Sequence, residues 1–104
     1  MDDEFIQQLQ NSVRSVPDFP IQGIVFRDIT PVLADGKLLV DVVDRMVRDI
    51  EGLGWEPTHI VGPESRGFIF GSMVALQMGI GFIPVRKPGK LPHEIERIEY
   101  SLEY

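Results

Sequence analysis

Two short turns hold the residues best suited to chemistry. The first is GPESRG, residues 62–67, which sets Glu64, Ser65 and Arg66 between glycines. The second is RKPGK, residues 86–90, which supplies Arg86, Lys87 and Lys90 around a Pro-Gly pair. Arginine offers a planar fork that matches two oxygens of a phosphate, whereas lysine acts as a mobile point charge. Brought to one spot, Arg66, Arg86, Lys87 and Lys90 would form a cationic notch for a small anionic ligand, in a protein of formal net charge −6. Backbone N–H groups at the start of a helix would add partial positive charge there. Other chemistries are poorly served. The phosphate-loop pattern GxxxxGK[ST] is absent, and the GxG of Gly79 and Gly81 precedes a strand instead of opening a helix. His59 and His93 are distant from each other and there is no cysteine, so neither a metal-ligand spacing nor a thiolate nucleophile is in view. No Ser-His-Asp arrangement can be read.

A shared notch requires that both turns leave one scaffold at the same end. The hydrophobic pattern predicts such a scaffold. Residues 59–62 read as a strand, 67–78 as a strongly apolar helix, and 82–86 as a second strand closed by Lys87-Pro88-Gly89. Strand, helix, strand with short connections implies neighbouring parallel strands covered by helices. In open α/β sheets ligands bind at the carboxyl ends of the strands, where both charged turns fall. Upstream, Leu38, Leu39, Val42, Val43, Met46, Val47 and Ile50 form one apolar stripe opposite a charged face. They predict a sheet-facing helix over 38–50, capped by Asp35 and stopped by Gly52 or Gly54. Phe5, Ile6, Leu9 and Val13 predict a short first helix over 2–13. Between these helices, Pro17, Pro20 and Pro31 exclude regular helix and leave a packed extended segment with a short strand at 24–26. Met46, Met73 and Met78 read as core filler, and IEYSLEY, residues 98–104, as a strand or loop.

Composition sets the bounds. The 104 residues suffice for one domain, with 43% apolar and 25% charged residues, as in ordinary globular proteins. The acidic balance argues against nucleic acid and anionic membranes as partners. No apolar run approaches the length of a membrane span, and the acidic start MDDEF is unlike a secretory signal. The expectation is a cytoplasmic protein.

Three segments carry a resemblance. PDFPIQGIVFRDITPVL, VGPESRGFIFG and FIPVRKPGKLP, in this order and followed by YSLEY, resemble the amino-terminal part of the adenine phosphoribosyltransferases, a type I phosphoribosyltransferase family. The likeness runs from about Pro17 to Tyr104. It implies a type I phosphoribosyltransferase-like α/β fold: a parallel sheet flanked by helices, with an amino-terminal hood. Residues 1–34 would form the first helix and the base-binding hood, and residues 35–104 the first part of the core, ending in a flexible catalytic loop. It further implies transfer of the 5-phosphoribosyl group of phosphoribosyl pyrophosphate (PRPP) to N9 of adenine, giving AMP and pyrophosphate, with Mg²⁺ accompanying the diphosphate.

The same resemblance assigns roles to individual residues. Backbone groups of Val25 and Arg27, with Phe26 between them, would receive adenine. Arg66 would meet the pyrophosphate, and Lys87 would serve the diphosphate near a subunit boundary. Ser65, Arg86 and Lys90 are given no role by the resemblance; as neighbours of Arg66 and Lys87 in the two charged turns they would support them. Glu103 and Tyr104 would lie on a loop closing over the site, with Glu103 handling the proton at the purine N7. A homodimer is implied. So is a later segment, absent from these residues, that cradles the 5-phosphate and binds the ribose hydroxyls; a companion chain carrying it is one expectation, and an inactive truncated fragment another. A non-catalytic purine-nucleotide-binding or regulatory relative is the alternative of a different class.

Overall fold

The computed structural model describes residues 3–92 and 95–97. The run 98–104, with Glu103 and Tyr104, and His93 lie outside the described residues. The chain divides into two compact units at the junction of Val42 and Val43.

The first unit contains α1 (Asp3–Ser12), β1 (Arg14–Pro17), β2 (Val25–Asp28), α2 (Thr30–Ala34) and the opening turns of α3 (Gly36–Gly52). In α1, Phe5, Ile6 and Leu9 are half-buried while Gln7 and Gln8 are exposed, as its periodicity requires. β1 and β2 pair antiparallel in the register Arg14↔Asp28 to Pro17↔Val25. Strand β1 is not among the sequence-predicted elements. Its four residues RSVP bury only Val16, and only partly, so they carry no alternation to read. Pro17 closes the strand, where a missing N–H disturbs the ladder least.

Helix α2 is a second departure. Pro31 argues against helix in this segment, yet it stands in the first turn of α2, where its N–H would have no intrahelical partner. The Asp28 carboxylate accepts hydrogen bonds from the Thr30 N–H at 2.9 Å and from the Thr30 hydroxyl. Asp35 then caps α3 as predicted, its Oδ1 accepting the Leu38 N–H at 3.1 Å.

The second unit contains the rest of α3, β3 (His59–Pro63), α4 (Arg66–Met78) and β4 (Gly81–Val85). β3 and β4 are parallel, in register from His59↔Gly81 to Pro63↔Val85. Val43 and Val47 of α3 and Val74 of α4 form the buried cluster, with Ile50, Ile60, Met73 and Met78 packed against it. Met46, predicted on the same stripe and as core filler, is instead exposed. At about 100° per residue Met46 falls near the middle of that stripe, so helical periodicity does not account for its exposure. On the sheet, Ile60, Gly62 and Phe82 turn toward the helical side, while Val61 and Ile83 are exposed on the other. Both faces are apolar, as in parallel sheets made to be covered twice. Gly79 ends α4 with φ +72°, and the bonds Gly79 N–H to Leu76 O (3.1 Å) and Ile80 N–H to Ala75 O (3.0 Å) close its last turn. No helix among the described residues is long and apolar enough to cross a membrane.

Candidate functional site

Where β3 ends, the chain turns directly into α4, and two glycines allow this. A Cβ on Gly62 would lie 2.4 Å from the Gly67 carbonyl oxygen, and one on Gly67 would lie 2.5 Å from Pro63 Cδ. The first turn of α4 is therefore seated against the end of β3 more closely than any side chain would permit. Phe82 uses the same device, since a Cβ on Gly71 would fall 2.5 Å from its ring. The ring meets Phe68 edge-on, with centroids 6.1 Å apart.

This packing places the first charged turn. Ser65 is the residue before α4 and Arg66 is its first residue; both are exposed. The Ser65 hydroxyl does not cap the helix, whereas its carbonyl accepts the Phe68 N–H at 3.2 Å. The Glu64–Ser65 peptide bond is cis.

The second turn leaves β4 at the matching height. Lys87 to Lys90 close a tight turn with Pro88 second and Gly89 third at φ +80°, and the Lys90 N–H donates to the Lys87 carbonyl at 3.2 Å. Proline then glycine at these places is the pattern of a type II turn, whose third residue needs positive φ. Lys87 and Lys90 are exposed. Arg86 is engaged with the protein: its Nη1 donates to the Lys90 carbonyl at 3.2 Å, and its guanidinium carbon lies 5.7 Å from the centroid of the Phe68 ring.

One residue joins the two turns. The Glu64 N–H donates to the Val85 carbonyl at 3.1 Å, and Glu64 Oε1 accepts the Lys87 N–H at 2.7 Å. Arg86 Nε is 3.8 Å from the same oxygen. The Lys87 N–H, aided by the charges of Arg86, Lys87 and Lys90, holds the Glu64 carboxyl below its ordinary range against the opposing effect of desolvation. Glu64 is thus ionised and acceptor-only at neutral pH. The structure brings Ser65, Arg66, Arg86, Lys87 and Lys90 to one end of the parallel pair, as the sequence predicts. The partnership of Glu64 is missing from that reading. An acid inside two otherwise basic turns was its one visible signal.

Val25, Phe26 and Arg27 lie in the first unit, on β2. Val25 and Arg27 are two apart, so their backbone groups share one edge of the strand. Arg27 Nη1 donates to the Ser15 hydroxyl across the β1–β2 pair. The Phe26 ring is half-buried and meets Phe19 edge-on at 5.2 Å. The connecting loop is tied by Asp18, itself at φ +56°, whose Oδ1 accepts the Gly23 N–H at 2.9 Å. The Phe19 N–H donates to the Ile24 carbonyl at 3.1 Å.

No protein-family model matches the chain. Individual relatives do. An adenine phosphoribosyltransferase of Synechococcus sp. (strain RCC307) is 53% identical over 98 residues, 94% of this chain and 54% of the relative. Among solved structures, the adenine phosphoribosyltransferase of Thermoanaerobacter pseudethanolicus superposes with a TM-score of 0.86 at 44% identity, covering 91% of this chain and 55% of that one. The adenine phosphoribosyltransferase of Saccharomyces cerevisiae, solved with an imino-altritol bisphosphate and adenine, gives a TM-score of 0.84 at 39% identity over 89% of this chain and 56% of that one. The chain spans about half the length of the relatives it matches. It carries part of the type I phosphoribosyltransferase fold, and over nearly its whole length it is similar in sequence and structure to the amino-terminal portion of adenine phosphoribosyltransferases.

Proposed function

We propose that the whole protein transfers the 5-phosphoribosyl group of PRPP to N9 of adenine, releasing AMP and pyrophosphate in purine salvage. The observation that carries this reading is the junction of two cationic turns at one end of β3 and β4, tied through Glu64 and Lys87, in a chain with adenine phosphoribosyltransferase relatives. Displacement breaks the bond from C1′ of the ribose to the diphosphate oxygen, and the electron pair leaves on pyrophosphate. Arg66 and Lys87 are assigned to that growing negative charge. Donors positioned before reaction stabilise it without reorganisation. Ser65 and Lys90 support the same anion, and Arg86 braces the second turn.

Adenine bearing its proton on N7 presents the N9 lone pair to C1′. As that bond forms, the N7 proton passes to the carboxylate of Glu103, with Tyr104 beside it in sequence. Backbone groups of Val25 and Arg27 read the purine edge beside Phe26. Mg²⁺ enters with the diphosphate as part of the substrate and offsets its charge; among the described residues no group of three His, Cys, Asp or Glu is placed to hold a metal. A further segment supplies the 5-phosphate and ribose contacts. A cytoplasmic homodimer with Lys87 near the neighbouring site completes the proposal, and light scattering checks the assembly.

The test is a pyrophosphate-release assay with PRPP and each purine base, on material verified by intact mass. Adenine should be the base used, and Arg66→Ala should raise the KM for PRPP about tenfold or more, the effect of losing a charge-assisted hydrogen bond. Unchanged PRPP kinetics in that variant would remove the role given to Arg66. Purine-nucleotide binding without pyrophosphate release would point to the non-catalytic relative instead.

A further inference from the structure

We propose that Glu64 is a positioning residue: by accepting the Lys87 N–H it locks the 86–90 turn beside the 62–67 turn, so that Lys87 and Arg66 meet one diphosphate. This deepens the diphosphate reading of Arg66 and Lys87 above and rests on it.

The backbone and the side chain of Glu64 both bind the exit of β4. Its N–H continues the parallel pairing past Pro63 by donating to the Val85 carbonyl at 3.1 Å. Its carboxylate then receives the Lys87 N–H at 2.7 Å, where a continuing strand would have offered a carbonyl. The side chain acts as one more rung after the strand has turned away into α4. The Glu64 side chain is 22% exposed and that of Arg86 33%, so the link is only partly bathed by water.

Charge alone argues against a carboxylate here. A negative group beside an anion site repels the ligand and offsets Arg86, so electrostatics by itself would favour a neutral residue. Geometry supplies the reason for it. With Arg86 held by Glu64, the Phe68 ring and the Lys90 carbonyl, the second turn is fixed from several directions, and fixing a donor before the ligand arrives removes an ordering cost from binding.

The test compares Glu64→Gln, Glu64→Asp and Glu64→Ala in the full chain, reading the KM for PRPP, the KM for adenine and hydrogen exchange of the Lys87 amide. Glutamine keeps a carbonyl oxygen at the same reach without the charge. Aspartate keeps the charge but is one methylene short. Glutamine should leave the PRPP KM within about threefold and Lys87 exchange slow. Aspartate and alanine should raise the PRPP KM about tenfold and speed that exchange, with the adenine KM unchanged. Rescue by aspartate and not glutamine would overturn the proposal, because charge would then be what matters. A PRPP KM unchanged in all three variants, or PRPP and adenine KM values rising together, would overturn it equally. Arg66→Ala and Lys87→Ala run alongside. If they raise the PRPP KM and the Glu64 series does not, this inference alone fails; if they too leave it unchanged, the diphosphate reading fails and takes this inference with it.

Discussion

Gly67→Ala should destabilise the protein, against the usual sign for a glycine within a helix. Alanine in place of helical glycine ordinarily stabilises by about 1 kcal/mol. At this position the added Cβ would lie 2.5 Å from Pro63 Cδ and 3.0 Å from the Gly62 carbonyl carbon, where unstrained carbon contacts need about 3.5–4.0 Å. A proline ring and a backbone carbonyl cannot swing aside, so α4 must retreat from β3 by about 1 Å to restore that spacing. Overpacking of this kind costs about 1–3 kcal/mol. Rigid neighbours put this case in the upper part of that range, and after the gain in helix propensity a net loss of about 1–2 kcal/mol remains. Urea denaturation reads it directly, as a midpoint lower by about 0.5–1 M at unchanged slope. Gly62→Ala gains no helix propensity and meets the Gly67 carbonyl oxygen at 2.4 Å, so it should lose more. The double variant should lose less than the sum, since one retreat relieves both clashes. Gly36→Ala is the control: it opens α3 with nothing within 4 Å of an added Cβ, and should be neutral or stabilising. A midpoint for Gly67→Ala at or above the parent would refute the seating of α4 on β3 through this glycine pair.

Val47→Ala removes two carbons from the buried cluster of Val43, Val47 and Val74 and should cost about 2 kcal/mol; calorimetry should show the lowered melting temperature, and an unchanged one would mean the cluster is not a core. Because the Glu64 carboxyl is held below its ordinary value of 4.5, the stability its charge contributes is fully present above that value and is lost as pH falls through the lowered one. The difference in urea midpoint between the parent and Glu64→Gln should therefore stay constant at neutral pH and shift against the parent on acidification, and a shift in its favour would reverse the assignment. Glu103→Gln should lower kcat by about 10²-fold or more with little change in the KM for adenine, as expected for a proton-handling group; untouched rates would exclude that role.

How far the sequence could be read depended on how many residues repeat a signal. The stripe of α3 persists over several turns, and α4 has a long apolar run ended by Gly79, so both helices and the strands beside them were legible. β1 offers a single partly buried residue, Val16, and α2 is five residues long with its proline at the start. Neither is long enough to establish a period, and Pro31 points the wrong way unless its place in the first turn is known. The cations of the site were legible because strand–turn–helix order fixes where Arg66 and Lys87 emerge. The bond from the Lys87 N–H to Glu64 was not, since it spans 23 residues and depends on a strand pairing that local patterns do not specify. The engagement of Arg86 by Phe68 and the Lys90 carbonyl was hidden for the same reason.

The register that runs from His59↔Gly81 to Pro63↔Val85 has an evolutionary corollary. Since the two strands finish level, basic side chains leaving either exit start from the same height on the sheet, and under the proposed function a charge moved from one exit to the other would still stand over the same end. Divergent versions of this scaffold should thus tolerate exchange of a basic side chain between position 66 and positions 87–90 more readily than loss of the levelling itself.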